Sequence, residues 1–157
     1  MSLMCEPQWL IGAICSANFL GWCSTLLWVP ALADQYGRKK VFIVGPIVDL
    51  FTYTVIMTTD NLYVMIAAMF VFGAATSIRA NVGWVYFQEL LPEQNVTFYS
   101  MLGFQLDGIV FLIATFYFWQ VCKTWTYFTM IGYFFTISTL CLVWFLPESP
   151  RLLISKK

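Results

Sequence analysis

Apolar residues along this chain come in long blocks, with no regular alternation. Five blocks stand out, at residues 9–29, 41–58, 62–86, 97–119 and 127–146. Each approaches the roughly 20 mostly apolar residues that a helix needs to cross a bilayer. None shows the apolar–polar alternation over about ten residues that marks a membrane barrel strand. The pattern predicts an all-α, polytopic bundle of about five transmembrane helices in one domain, 1–157.

Within the blocks, small residues recur at helical spacing. Ala13, Ala17, Gly21 and Thr25 lie four apart in the first block, and Gly73, Ser77 and Asn81 do so in the third. Small side chains let helices approach closely in lipid, so these stripes predict packing faces.

Composition agrees with the pattern. Hydrophobic residues make up 61% of the chain and charged residues 10%, with a mean hydropathy of +0.77. A soluble domain is about 45–50% apolar and about 25% charged. So little polar surface implies an integral membrane protein whose main surroundings are the lipid bilayer. The net charge is zero, which gives no footing for nucleic acid. Cys5, Cys15, Cys23, Cys122 and Cys141 show no C-x-x-C spacing, and four of them lie in or beside apolar blocks. They read as small hydrophobes rather than metal ligands or disulfide partners. The chain has no His, no metal-ligand cluster, no nucleophile elbow and no phosphate loop. It therefore implies no cofactor, no metal and no enzyme. The first eight residues carry no Lys or Arg, and no short apolar core precedes a small-residue cleavage site, so no cleavable signal peptide is expected.

Cations in short loops orient membrane helices. Arg38, Lys39 and Lys40 follow the first block, and Arg151, Lys156 and Lys157 lie in the C-terminal tail. Alternation of the helices puts both groups on one side and Lys123 on the other. The first loop and the C-terminus are therefore expected in the cytoplasm, with the N-terminus outside. The acidic third connection, with Glu89 and Glu93, supports this only weakly. Asn95-Val96-Thr97 is a glycosylation sequon, and this topology would leave it silent in the cytoplasm.

The first loop holds more than an anchor. In "LADQYGRKK", Asp34 precedes Gly37 by three and the cation triplet follows at once. Gly37 can take a left-handed conformation that ends one helix and turns the chain, which brings Asp34 near the cations. L-A-D-x-x-G-R-K-K between two membrane helices resembles the loop that joins the second and third helices of major facilitator superfamily carriers. That loop usually begins with a Gly four residues before the Asp; here the position is Pro30. "LPESPRLL" after the fifth block resembles the segment after the sixth helix in the sugar porter and organic ion transporter branches. "YFQELLPEQ" is a partial third match: Glu89 and Pro92 fit, while Val96 stands where those branches carry Arg. Their Arg-Phe-x-x-Gly in the fourth helix is also incomplete, with Gly73 in place and Met69 at the Arg position.

The resemblance covers nearly the whole chain, as helices two to six of an N-terminal half. It implies that Asp34, Gly37, Arg38, Glu89, Glu148 and Arg151 belong to a cytoplasmic gating element, in which the charges close the two transporter halves together. The bland alternative is ordinary interfacial charge. It also implies that helices two, four and five line a central cavity. Asn18, Arg79, Asn81, Gln105 and Asp107 then become the candidate substrate contacts, and Asp49 an intramembrane charge partner.

Three charges fall inside the blocks. Asp49, Arg79 and Asp107 all lie at ~12–16 Å depth, at ~1.5 Å per helical residue. Each costs at least ~2.5–3.5 kcal/mol there, so each must face a partner, a cavity or another chain. Arg79 can pair with Asp49 or with Asp107, leaving the other carboxylate for a cation or proton. Trp84 and Phe111 could offer cation–π surface, although packing is the commoner role for an aromatic in such a chain.

The resembled carriers have two six-helix halves with the solute between them. Five blocks leave out the first helix and the second half. Three readings follow: a fragment of a carrier, a half-unit that pairs with another chain, or a structural membrane subunit derived from one. The solute class stays open between sugar and organic ion. The balance leans to organic ion, because three charges, Asp49, Arg79 and Asp107, lie inside the blocks, where sugar hydroxyls would be met by Gln and Asn.

Overall fold

The computed structural model describes residues 8–92, 94–121 and 125–146. Among these residues every element is helical. Helix α1 spans Gln8–Leu26 and α2 spans Val29–Tyr36. Next come α3, Arg38–Thr58, and α4, Leu62–Leu90. Helix α5 spans Val96–Phe116 and runs on as a π-helical turn, Tyr117–Val121, and α6 spans Trp125–Phe145. Four spans are long and apolar enough to cross a membrane, and the pair α1 and α2, bent by 45°, makes a fifth if counted as one.

The bend has a chemical cause. Pro30 falls in the first turn of α2 and has no N–H to give to Leu26, the carbonyl one turn earlier. The chain closes Trp28 N–H onto the Thr25 carbonyl at 3.2 Å and then restarts as α2. Residues 30–36, which the sequence suggests as part of a loop, are therefore helical, and the cation triplet forms the first turn of α3. Between them stands Gly37, with φ 101° and ψ 134°. The φ is in the glycine-favoured region that the sequence suggests, but the ψ is extended rather than helical. At α4 the start is capped: the Asn61 side chain accepts a hydrogen bond from Tyr63 N–H at 3.0 Å.

Helix α4 is the centre of the packing, with α1 and α3 against it and α6 against α3. The small residues set these approaches. A methyl group on Gly73 would sit 2.0 Å from the Asn18 carbonyl oxygen, and one on Gly21 would sit 2.0 Å from that of Phe70. The two stripes anticipated from spacing thus meet at the α1–α4 crossing, where Ala17, Gly21, Gly73 and Ser77 are all buried. Gly45 brings α3 close to Ala75 and Arg79 of α4 in the same way. Near the Gly37 end, Val29, Ala33, Phe42, Val82 and Val143 form an apolar cluster that joins α2, α3, α4 and α6. Helix α5 differs from the others: it touches the end of α4 through Trp84–Phe104 and Gln88–Ser100, and none of its residues is buried.

Candidate functional site

The first constellation gathers around Gly37. The turn sets Asp34, near the end of α2, one helical turn from Arg38, the first residue of α3. Arg38 Nη2 donates to Asp34 Oδ1 at 3.0 Å, and Arg38 Nη1 lies 2.8 Å from Glu89 Oε1 at the end of α4. One guanidinium therefore ties three helices. The two contacts differ in exposure: the Asp34 side chain is 66% exposed, whereas Arg38 and Glu89 are 17% and 10% exposed. The pair with Glu89 is the better shielded, so it carries more of the electrostatic coupling. Lys39, next in sequence, donates its Nζ to the carbonyl of Leu146 at the end of α6. A cation at a helix C-terminus is favoured by the helix dipole, and this one fastens α3 to α6. Glu148 and Arg151 lie outside the described residues.

The second constellation lies deeper. Gly45 lets α3 approach α4, and Asp49, one turn on, points into that contact with 0% of its side chain exposed. Arg79 Nη1 stands 3.8 Å from Asp49 Oδ2 and is itself 36% exposed. At 3.8 Å the two make no hydrogen bond, so charge alone joins the pair. Of the two partners that the sequence leaves open for Arg79, the buried one is in contact. Asp107 is on the exposed face of α5.

An open cavity of about 990 Å³ joins the two constellations. Asp34 and Arg38 line it at one end; Arg79 and Asn81 of α4 and Asp107 of α5 line it further in. Asn81 is steadied by donating to the Ser77 carbonyl at 2.9 Å and lies 3.2 Å from the Ser77 hydroxyl. Trp84 and Phe104, with ring centres 4.9 Å apart, form part of the wall with Phe87 and Phe42. Gly103 admits the Trp84 ring, since a methyl group there would lie 2.8 Å from it. Of the residues nominated from sequence, Asn18 and Gln105 are not in the lining. Asn18 instead supplies the carbonyl at the α1–α4 crossing, and Gln105 is exposed on α5. Phe111, proposed beside Trp84, is also exposed and outside the lining. Phe104 was not singled out. The adjacent Gly103 was its one local signal, because a glycine where two helices must meet around a ring marks the contact.

Comparison with known proteins decides the family. The model of the sugar (and other) transporter family matches residues 3–157. The chain belongs to this family. Its loop motifs and its fold thus agree on a major facilitator chain, and with its apolar spans it is a multi-pass membrane protein. Two mammalian relatives are similar along the whole chain. Solute carrier family 22 member 2 of Oryctolagus cuniculus is 22% identical over a 163-residue alignment, and that of Rattus norvegicus is 23% identical. The alignments cover 99% of this transporter-family chain but 28% of each relative's length.

Proposed function

We propose that this chain is one part of a carrier that moves a small organic ion across a membrane by alternating access, with a second transporter half completing the path. The observation that carries the reading is the cavity, which reaches from the Asp34–Arg38 contact to Arg79 and Asp107. Its lining bears four charged side chains and a single carboxamide, Asn81. Sugar hydroxyls are best met by several neutral donors and acceptors, whereas a charged solute needs charges. Family membership and the relatives' description as solute carriers support the same class.

In this reading the Asp34–Arg38–Glu89 cluster is the gate. Its contacts favour one of two conformations by a few kcal/mol, and a partner half that competes for Arg38 would favour the other. The cluster and the tail face the cytoplasm, in keeping with the cations gathered there.

Uptake into proteoliposomes, with the chain co-assembled with its complementing half, tests the proposal. Saturable uptake of an organic ion, without uptake of glucose, is the expected result. Glu89→Gln removes the charge but keeps the shape, and uptake should fall roughly tenfold, equivalent to ~1.4 kcal/mol, with insertion unchanged. If the inserted assembly takes up neither ion nor sugar, the chain is a structural membrane subunit and the carrier reading fails.

A further inference from the structure

Three cations stand side by side where α3 begins, and the structure gives them different surroundings. Arg38 is held by Asp34 and Glu89. Lys39 donates to the Leu146 carbonyl. Lys40 is exposed and has no ion pair or hydrogen bond among the described residues. The charges around the Gly37 turn therefore do not cancel. Among the described residues the three cations meet two carboxylates, Asp34 and Glu89, and the positive charge left over is that of Lys40.

Lys40 also stands at the head of an apolar stripe. Val44, Ile47 and Phe51 follow it at four, seven and eleven residues, a spacing that keeps side chains on one helix face. They are 50%, 53% and 69% exposed, because the packing of α3 on α2, α4 and α6 leaves this face uncovered. From Lys40 to Phe51 the helix rises about 16 Å, at ~1.5 Å per residue. One leaflet of a bilayer has about 15 Å of hydrocarbon, half of a ~30 Å core. The face thus offers a cation at the interface and apolar side chains to the depth of one leaflet. Tyr36, exposed at the end of α2 beside the turn, adds an aromatic of the kind that settles at headgroup depth. We infer that this face of α3 seats one anionic phospholipid, its phosphate against Lys40 and an acyl chain along Val44, Ile47 and Phe51. A zwitterionic lipid would bring no net charge to balance Lys40. A second copy docked symmetrically would bring another Lys40 rather than an anion. On the orientation proposed above, the lipid comes from the cytoplasmic leaflet, which carries anionic headgroups. The inference does not depend on transport.

Native mass spectrometry of the full chain in detergent tests it, with dioleoylphosphatidylglycerol or dioleoylphosphatidylcholine added at equal concentration. The wild type should bind its first phosphatidylglycerol about fivefold more tightly than phosphatidylcholine, equivalent to ~1 kcal/mol for one cation near a membrane surface. Lys40→Gln should bring the two affinities level, and Lys40→Arg should keep them apart. Lys123→Gln removes an equal charge from the connection between α5 and α6 and should leave the preference as it is. Lys40 is exposed, so its variants should keep the helical circular dichroism of the parent. Equal affinities in the wild type, a preference that survives Lys40→Gln, or an equal loss in Lys123→Gln each overturns the inference. Displacement of the lipid by excess inorganic phosphate also overturns it, since the site then takes a free anion. A dimer that forms in place of the lipid complex gives the face to a second copy and overturns it as well. Each of these outcomes leaves the carrier reading standing, which uptake alone decides.

Discussion

Gly37 has a positive φ of 101°, and among the described residues it alone does so. An L side chain there meets its own backbone, at a cost of about 1–2 kcal/mol. Gly37→Ala should lower the unfolding free energy by that amount in detergent, measured by denaturant titration followed by circular dichroism. An unchanged midpoint would mean that the turn tolerates a side chain. Gly37 was legible in the sequence because one residue type fits its conformation. The partner of Glu89 was much less so. Arg38 and Glu89 are separated by the whole of α3 and most of α4, and local spacing says nothing about a contact of that range. Motif resemblance put both in one network, although Val96 stands where the resembled branches carry Arg. In the fold, Arg38 meets Glu89 at 2.8 Å.

Helix crossings were more readable than helix ends. Residues four apart share a face whatever the tertiary fold, so the stripes of α1 and α4 could be read directly. The crossing is so close that a single methyl group has nowhere to go. Gly73→Ala would place Cβ 2.0 Å from a backbone oxygen, whereas at Gly12 nothing lies within 4 Å. Gly73→Ala should cost roughly 3 kcal/mol and loosen α1, because a rigid backbone cannot repack around the added atom. Gly12→Ala should be neutral to slightly stabilising. Protease sensitivity of the α1–α4 contact separates the two, and equal behaviour would contradict the crossing. The break between α1 and α2 was hidden. The apolar block runs unbroken to Val29, and hydropathy does not register a missing N–H. Pro30 was noted as a departure from a motif, yet its effect one turn earlier requires hydrogen-bond bookkeeping that composition does not supply. The π-helical turn after α5 had no sequence signal at all.

For the molecule as a whole, the sequence made the membrane class and the family plain. Long apolar blocks admit few alternatives in lipid, where every backbone group must be satisfied within the helix. Side-of-membrane assignment rests on loop cations alone. It predicts that Asn95, exposed at the start of α5, carries no glycan when the chain is expressed in a glycosylating membrane system. A mobility shift removed by glycosidase and by Asn95→Gln would reverse the topology. The cavity was less legible. Charges in apolar blocks marked Arg79 and Asp107, but which of five helices face one another is a property of packing. Asn18 and Gln105, polar and at plausible depth, were therefore nominated and yet lie elsewhere.

The broken first span is also a lever. Helix α2 is eight residues long, about 12 Å at 1.5 Å per residue. It starts where Pro30 has already cancelled a backbone hydrogen bond, and it carries Asp34 near its far end. Asp34 lies about 6 Å beyond Pro30, so a tilt of about 10° at that break would move it by about 1 Å, by the same helical rise. Arg38 and Asp34 are 3.0 Å apart, and a hydrogen bond stretched by that much is gone. A rotation small enough to leave every span upright in the bilayer is thus large enough to release a charge.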